Sequence, residues 1–124
     1  QTDIWIYADQ DLIHQVLFNL VENAIKFTDE GGIISFSWMK ESTETTLNIR
    51  NTGNGLSQEE MNKIFERFYK TDTSRGLDKS GVGLGLNIVK TIVHVHNGNI
   101  AVHSEQGKYT EFSVTLPSST PPKK

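Results

Sequence analysis

The chain has 124 residues, a formal net charge of −3 and no cysteine. That length suits one domain with its own core; the mild acidity gives no reason to expect nucleic-acid or anionic-membrane binding through bulk charge, and the missing cysteines exclude a disulfide framework or a thiolate metal site. No apolar run approaches the ~20 residues that cross a bilayer, and the chain starts in an apolar run without a signal peptide or initiator methionine, which reads as a piece of a longer protein.

Ile4-Trp5-Ile6-Tyr7-Ala8 is a short β-prone run. Asp9 is suited to cap a following helix and Asp11 to sit in its first turn. From Leu12 the apolar residues fall at Ile13, Val16, Leu17, Leu20, Ala24 and Phe27, the spacing of an amphipathic helix that Gly31-Gly32 would end. Residues 33–39 alternate with the period of a strand, and a polar turn at 41–44 leads to a second strand over 45–51. Ser57-Gln58-Glu59-Glu60 is a capping box that starts a helix carrying Met61, Ile64, Phe65 and Phe68. Residues 70–80 are polar and keep neither period, as in a loop. A third helix is predicted from about Gly83 to His96, with Asn97-Gly98 supplying a left-handed end. Strands over 100–104 and 110–116 follow, joined by a turn around Gln106-Gly107, and residues 118–124 read as a disordered tail behind a domain of residues 1–117. This order predicts an α/β sandwich, with helices on one face of a mixed sheet.

Three segments carry chemistry. Asn19, Glu22, Asn23 and Lys26 stand at i, i+3, i+4 and i+7 and share one helix face. As bare charges they would be a solvated face, but asparagine is a poor helix former. Amide oxygens beside a carboxylate and a lysine suit a hydrated Mg²⁺ bound to phosphates. Asn51-Thr52-Gly53-Asn54-Gly55 joins a strand to a capped helix, as a plain turn or as a ligand cradle. Gly81-Val82-Gly83-Leu84-Gly85-Leu86 runs into the third helix; glycines there let backbone N–H groups approach a phosphate, or make a tight turn. The run matches neither a dinucleotide fingerprint nor a Walker motif, and it is not placed like a protein-kinase glycine loop.

Taken together, N-L-V-E-N-A-I-K-F-T (19–28), N-T-G-N-G-L (51–56), I-F-E-R-F-Y-K (64–70) and G-V-G-L-G-L (81–86) stand in the order and spacing of the sensor histidine kinases. Over residues 4–117 the chain resembles the catalytic ATP-binding domain of that family, within the gyrase, histidine-kinase and MutL superfamily. A-D-Q-D-L-I-H-Q-V-L (8–17) and T-E-F-S-V-T-L-P (110–117) add to the likeness.

The resemblance implies a Bergerat fold, three helices on a mixed five-stranded sheet with ATP between the layers. By motif, Asn23 would ligate Mg²⁺, Asn19 would support the metal or a phosphate, and Lys26 would meet the phosphates. Phe27 would lie near the nucleotide, and Gly53 and Gly55 would let the chain pass close to the adenine. Phe65 and Phe68 would anchor a lid that Gly81, Gly83 and Gly85 close over the phosphates; Tyr69, Val82, Leu84, Leu86 and Thr110 belong to the same implied site. Arg67 and Lys70 are phosphate contacts or solvated charges.

The implied reaction is transfer of the γ-phosphoryl group of ATP to a histidine on a separate dimerisation domain, with a response regulator acting downstream. His14, His94, His96 and His103 lack the context of that acceptor and read as surface or packed histidines. The implied full-length protein is a membrane-bound homodimer with this domain in the cytoplasm. Hydrolysing members of the superfamily hold a glutamate base at the place of Asn19, so the amide favours transfer over hydrolysis; Glu22, one step away, would assist the acceptor.

One position departs from the family pattern: Asn51 stands where an aspartate accepts a hydrogen bond from the adenine amino group. A neutral amide gives up charge assistance and, if turned round, presents N–H₂ to a guanine O6. The sequence therefore predicts weaker ATP binding and relaxed selectivity against GTP, with Asn51→Asp restoring both. Its alternatives are a degenerate, weakly nucleotide-binding regulatory domain and an ATPase of the wider superfamily.

Overall fold

In a computed structural model the described residues are 8–66 and 85–118. They form α1 (Gln10–Phe27), β1 (Ile34–Lys40), β2 (Glu44–Thr52), α2 (Gln58–Lys63), α3 (Gly85–Val95), β3 (Asn99–Glu105) and β4 (Tyr109–Pro117). The strands make one antiparallel sheet in the order β1-β2-β4-β3. The helices pack on one face: α1 lies on β2 and on α3, α3 on β3, and α2 touches β3. This is the α/β sandwich expected of a Bergerat fold. The described strands number four; residues 4–7, where the fifth was expected, lie outside the described residues.

Helix ends follow local chemistry. Asp9 caps α1, its Oδ1 accepting from Leu12 N–H at 3.1 Å. The helix ends at Phe27, before the glycine pair, because the Thr28 hydroxyl and N–H both bond the Ala24 carbonyl and Thr28 itself is extended. The capping box of α2 forms in both directions: Glu60 N–H donates to Ser57 Oγ at 3.1 Å and Ser57 N–H to Glu60 Oε1 at 3.0 Å. At the far end of α3, Asn97 takes the left-handed conformation (φ 62°) and Gly98 N–H bonds the Val93 carbonyl. His96 ties two helices together. Its Nδ1 lies 2.8 Å from the Ile92 carbonyl, which can only accept, so the proton sits there and Nε2 accepts from Asp9 N–H at 2.9 Å.

Cross-strand register arranges the helix-facing side of the sheet in rows. Trp38, Leu47, Val114 and Ile100 make one row, and Phe36, Ile49, Phe112 and Val102 the next. Val16, Leu20 and Ala24 of α1 and Val89, Ile92 and Val93 of α3 close over the β2, β4 and β3 members. Phe36 and Trp38 on the edge strand stay 53% and 54% exposed, so the helix layer is centred away from β1. The opposite side is polar: Arg50 pairs with Glu111, Ser113 donates to Asn48 Oδ1, and Thr46 meets Thr115. Ser118, placed in the tail by sequence, is held by the β1–β2 turn, its N–H donating to Thr43 O and its hydroxyl to Glu41 O while lying 2.8 Å from Thr45 Oγ1.

Leu20, 1% exposed, is the central side chain between α1 and the sheet. Leu20→Ala should lower unfolding free energy by about 2–5 kcal/mol, read as a shifted urea midpoint with unchanged m.

Candidate functional site

A third row continues the register and changes character. Ile34, Asn51, Thr110 and Ser104 lie side by side across the four strands, on the same face as the apolar rows. Asn51 is 3% and Thr110 7% exposed, so two polar side chains are buried where the sequence pattern elsewhere places apolar ones. Their groups have defined partners. Ser104 Oγ donates to Tyr109 O at 2.6 Å, accepts from Leu56 N–H at 2.7 Å and lies 3.3 Å from Thr110 Oγ1. Asn51 Nδ2 donates to Thr52 O at 3.0 Å.

Asn51 and Thr110 of this row line an open cleft of about 480 Å³, its solvent-facing mouth included, beside the C-terminal half of α1 and α2. The described lining adds Asn23 and Phe27 from α1, Asn54, Gly55 and Leu56 from the loop, Glu60 and Ile64 from α2, and Phe112 beneath. Phe27, Leu56, Ile64 and Phe112 give apolar walls, and the polar groups are three amides, a hydroxyl and the Glu60 carboxylate, a mixture usual for a small-molecule site.

Close approach of backbone to backbone builds the loop that rims the cleft. Gly53 N–H donates to Lys108 O, and Gly107 N–H to Asn54 O at 2.6 Å, which straps residues 53–56 to the β3–β4 turn. A Cβ added to Gly53 (φ 153°) would lie 2.5 Å from Phe27 O, and one on Gly55 (φ 71°) 2.5 Å from Glu105 O. Both glycines are required by this packing, whatever occupies the cleft. In the same turn the Glu105 carboxylate, 2.6 Å from Lys108 Nζ, holds the ammonium above its ordinary pKa by hydrogen bond and then by charge.

Residues 8–120 match the HATPase_c family model, described as histidine kinase-, DNA gyrase B-, and HSP90-like ATPase. The chain belongs to that family. It is 43% identical over 114 residues to the sensor protein SrrB of Staphylococcus aureus, covering 92% of this chain and 19% of SrrB. It thus spans about a fifth of the length of that relative. Among solved structures, the mycobacterial sensor histidine kinase MprB superposes with a TM-score of 0.82 at 28% identity, over 91% of this chain and 76% of that one. Full-length ShkA, solved in complex with AMPPNP, gives 0.81 at 30% identity, over 95% of this chain and 24% of that one.

As a HATPase_c domain, the chain brings together part of the residue set its motifs predicted. Asn23, Phe27, Asn51, Gly55 and Thr110 line the cleft. Asn19 and Lys26 are half-buried and Glu22 exposed on α1, and none of the three is in the described lining. Gly53 is buried under the rim. Phe65 packs edge-on to Phe112 at 6.0 Å between ring centres, and its carbonyl accepts from Asn87 Nδ2, joining the end of α2 to α3. Gly85 is exposed and Leu86 packs on the core. Arg67, Phe68, Tyr69, Lys70, Gly81, Val82, Gly83 and Leu84 lie outside the described residues.

Asn54, Leu56, Glu60, Ile64 and Phe112 line the cleft without having been singled out. Glu60 and Ile64 read from sequence as a capping-box member and a core position, which they also are.

Gly55→Ala should lower stability by about 1–3 kcal/mol, since it combines a left-handed backbone with a clash against Glu105 O. Gly107→Ala, at φ 81° but in open space, should cost less, about 1 kcal/mol. Thermal melts of the pair separate crowding from backbone strain.

Proposed function

We propose that this chain is the catalytic ATP-binding part of a two-component sensor histidine kinase. In this reading it holds Mg-ATP in the cleft and presents the γ-phosphoryl group to a histidine on a separate dimerisation domain. The observation that carries the reading is the buried polar pair of Asn51 and Thr110 in a cleft with apolar walls, with the Asn23 amide at the same cleft. An adenine is a flat apolar ring with polar edges, and a slot walled by Phe27, Leu56 and Ile64 with hydrogen-bonding groups at its end suits it. The family match and the AMPPNP complex of ShkA support the same ligand class.

The donor chemistry fits a magnesium ion. Mg²⁺ takes hard oxygen ligands and commonly one or two from protein, the rest from water and phosphates, and the Asn23 amide oxygen is a donor of that kind. When bound, the ion would neutralise charge developing on the phosphates. Asn23 would hold the metal, Asn19 support it, and Lys26 meet the phosphate charge. Asn51 and Thr110 orient the base, with Phe27 and Gly55 bounding its slot. Phosphoryl transfer asks mainly for positioning and charge neutralisation. Asn19 has no carboxylate to take a proton from water, which favours a histidine acceptor over hydrolysis. The remaining motif residues, Arg67, Phe68, Tyr69, Lys70 and residues 81–86, are assigned to the lid by resemblance. By the same resemblance the full-length protein is a membrane-anchored homodimer whose catalytic domain lies in the cytoplasm, signalling to a response regulator.

Mixing the domain with the histidine-bearing domain of its own full-length protein and γ-labelled ATP should give acid-labile phosphate on that partner. Steady-state phosphate release without the partner would instead mark an ATPase, and failure to bind nucleotide a degenerate domain. Asn23→Ala should weaken Mg²⁺-dependent ATP binding by about tenfold, worth ~1.4 kcal/mol, while leaving metal-free binding nearly unchanged, as read by titration calorimetry with and without the ion.

A further inference from the structure

α2 buries none of its own residues. Its start is tied to the sheet through Leu56 N–H, which donates to Ser104 Oγ, and its end through Ile64 and Phe65. Ile64, the C-cap, is buried and lines the cleft. The last carbonyls of a helix have no partner within it. Here Phe65 O is met from another helix: Asn87, in the first turn of α3, donates from Nδ2 at 3.2 Å. One turn on, Lys90 holds its ammonium 5.7 Å from the centre of the Phe65 ring. The same ring packs edge-on against Phe112, which lines the cleft as Ile64 does. Neither Asn87 nor Lys90 is in the described lining. α3 thus grips the residue next to the cleft wall by both its carbonyl and its ring.

We propose that Asn87 is a positioning residue for nucleotide binding, setting the wall that Ile64 and Glu60 give the cleft without touching the ligand. The inference rests on the cleft being the nucleotide site. Phe65 follows Ile64 directly, so fixing its carbonyl fixes how far the Ile64 side chain stands into the cleft. Glu60 lies one turn earlier on the same helix and shifts with it. Dispersion contacts fall off steeply with distance, so a wall that withdraws slightly loses much of its hold on a flat ring. The donor is what matters at position 87. An amide nitrogen gives Phe65 O a proton, whereas a leucine of nearly the same size has none to give. A part-buried carbonyl left unpaired is costly, and it reaches water when the end of α2 swings outward. The wall goes with it.

The test measures the affinity of Mg-ATP and of adenosine for the unmodified domain, Asn87→Leu and Asn87→Ala, each well below its melting temperature. Both variants should lose about fivefold for each ligand, the effect of one part-buried hydrogen bond. The loss should be the same for the two ligands, because the wall bounds the slot for the base. In the ligand-free domain the Ile64 methyl resonances should shift in both variants. Unchanged affinity for both ligands, even with a lower melting temperature, would make Asn87 a stabilising contact only and overturn the proposal. A loss for ATP with adenosine unaffected would place Asn87 at the phosphates and overturn it too. In either case the kinase reading stands. If the unmodified domain binds neither ligand, both fall. Leucine keeps the size of asparagine and suits a helix, so Asn87→Leu is decisive even if Asn87→Ala does not fold.

Discussion

The backbone and hydroxyl of Thr52 join the end of β2 to the α1–β1 connection, about twenty residues earlier in the chain. Its carbonyl accepts from the Asp29 N–H beyond α1 and from the Asn51 side chain. Its N–H and hydroxyl engage Ile33 at the entry to β1. Hydrogen bonds to an acceptor with both lone pairs engaged leave little rotational freedom. The end of α1, which carries Phe27 and Asn23, is thereby fixed relative to the end of β2, which carries Asn51. The cleft is the gap between those two ends. Two of these bonds, Asp29 N–H to Thr52 O and Thr52 N–H to Ile33 O, are main-chain bonds that a side-chain substitution cannot easily remove.

Above that junction the structure is an apolar sandwich. The β2, β4 and β3 members of two rows of side chains face Val16, Leu20, Ala24, Val89, Ile92 and Val93, and burial of this kind supplies the bulk of folding free energy. At Asn51 and Thr110 the same register continues with polar groups. Burying an amide and a hydroxyl costs free energy unless they are hydrogen-bonded; here Asn51 donates to the carbonyl of Thr52 and Thr110 lies against the Ser104 hydroxyl on the adjacent strand. The cost of departing from an apolar core is thus held down locally. Stability comes from the rows, and recognition from the place where they stop.

Much of this was legible in the residues. The α1 cap at Asp9, the Ser57–Glu60 box and the left-handed Asn97 carry local chemical signals and formed as read. Strand ends shifted by a residue because ladders extend as far as partners allow: Pro117 and Ser118 are held by Glu44 and Thr43, more than seventy positions away. The glycines of the 51–56 segment were read as making room for a ligand, whereas the carbonyls of Phe27 and Glu105 are what they make room for. Sequence marked those positions as special without saying which neighbour required it. Glu60 carried no signal for the cleft, since its place in the capping box accounts for it, and Ile64, though it opens the 64–70 motif, read as a core position. Asn51 was conspicuous, but the sense of its amide depends on a carbonyl one residue on, and backbone direction is not written in residue type.

That last point bears on how a carboxylate and an amide should be compared at this place. Charge assistance makes an aspartate the stronger acceptor in general. It does so where the second carboxylate oxygen can find a donor or water. Here the second edge of the side chain faces a carbonyl already engaged by Asp29 N–H, so a carboxylate would meet like polarity in a buried setting, where such contacts weigh most. An amide satisfies that carbonyl and still offers an oxygen on its other edge. It also carries no titrating proton, so the acceptor it offers is the same across the pH range in which a carboxylate would change. Thr52 O thus gives the Asn51 amide nitrogen a partner that a carboxylate oxygen at this position could not use.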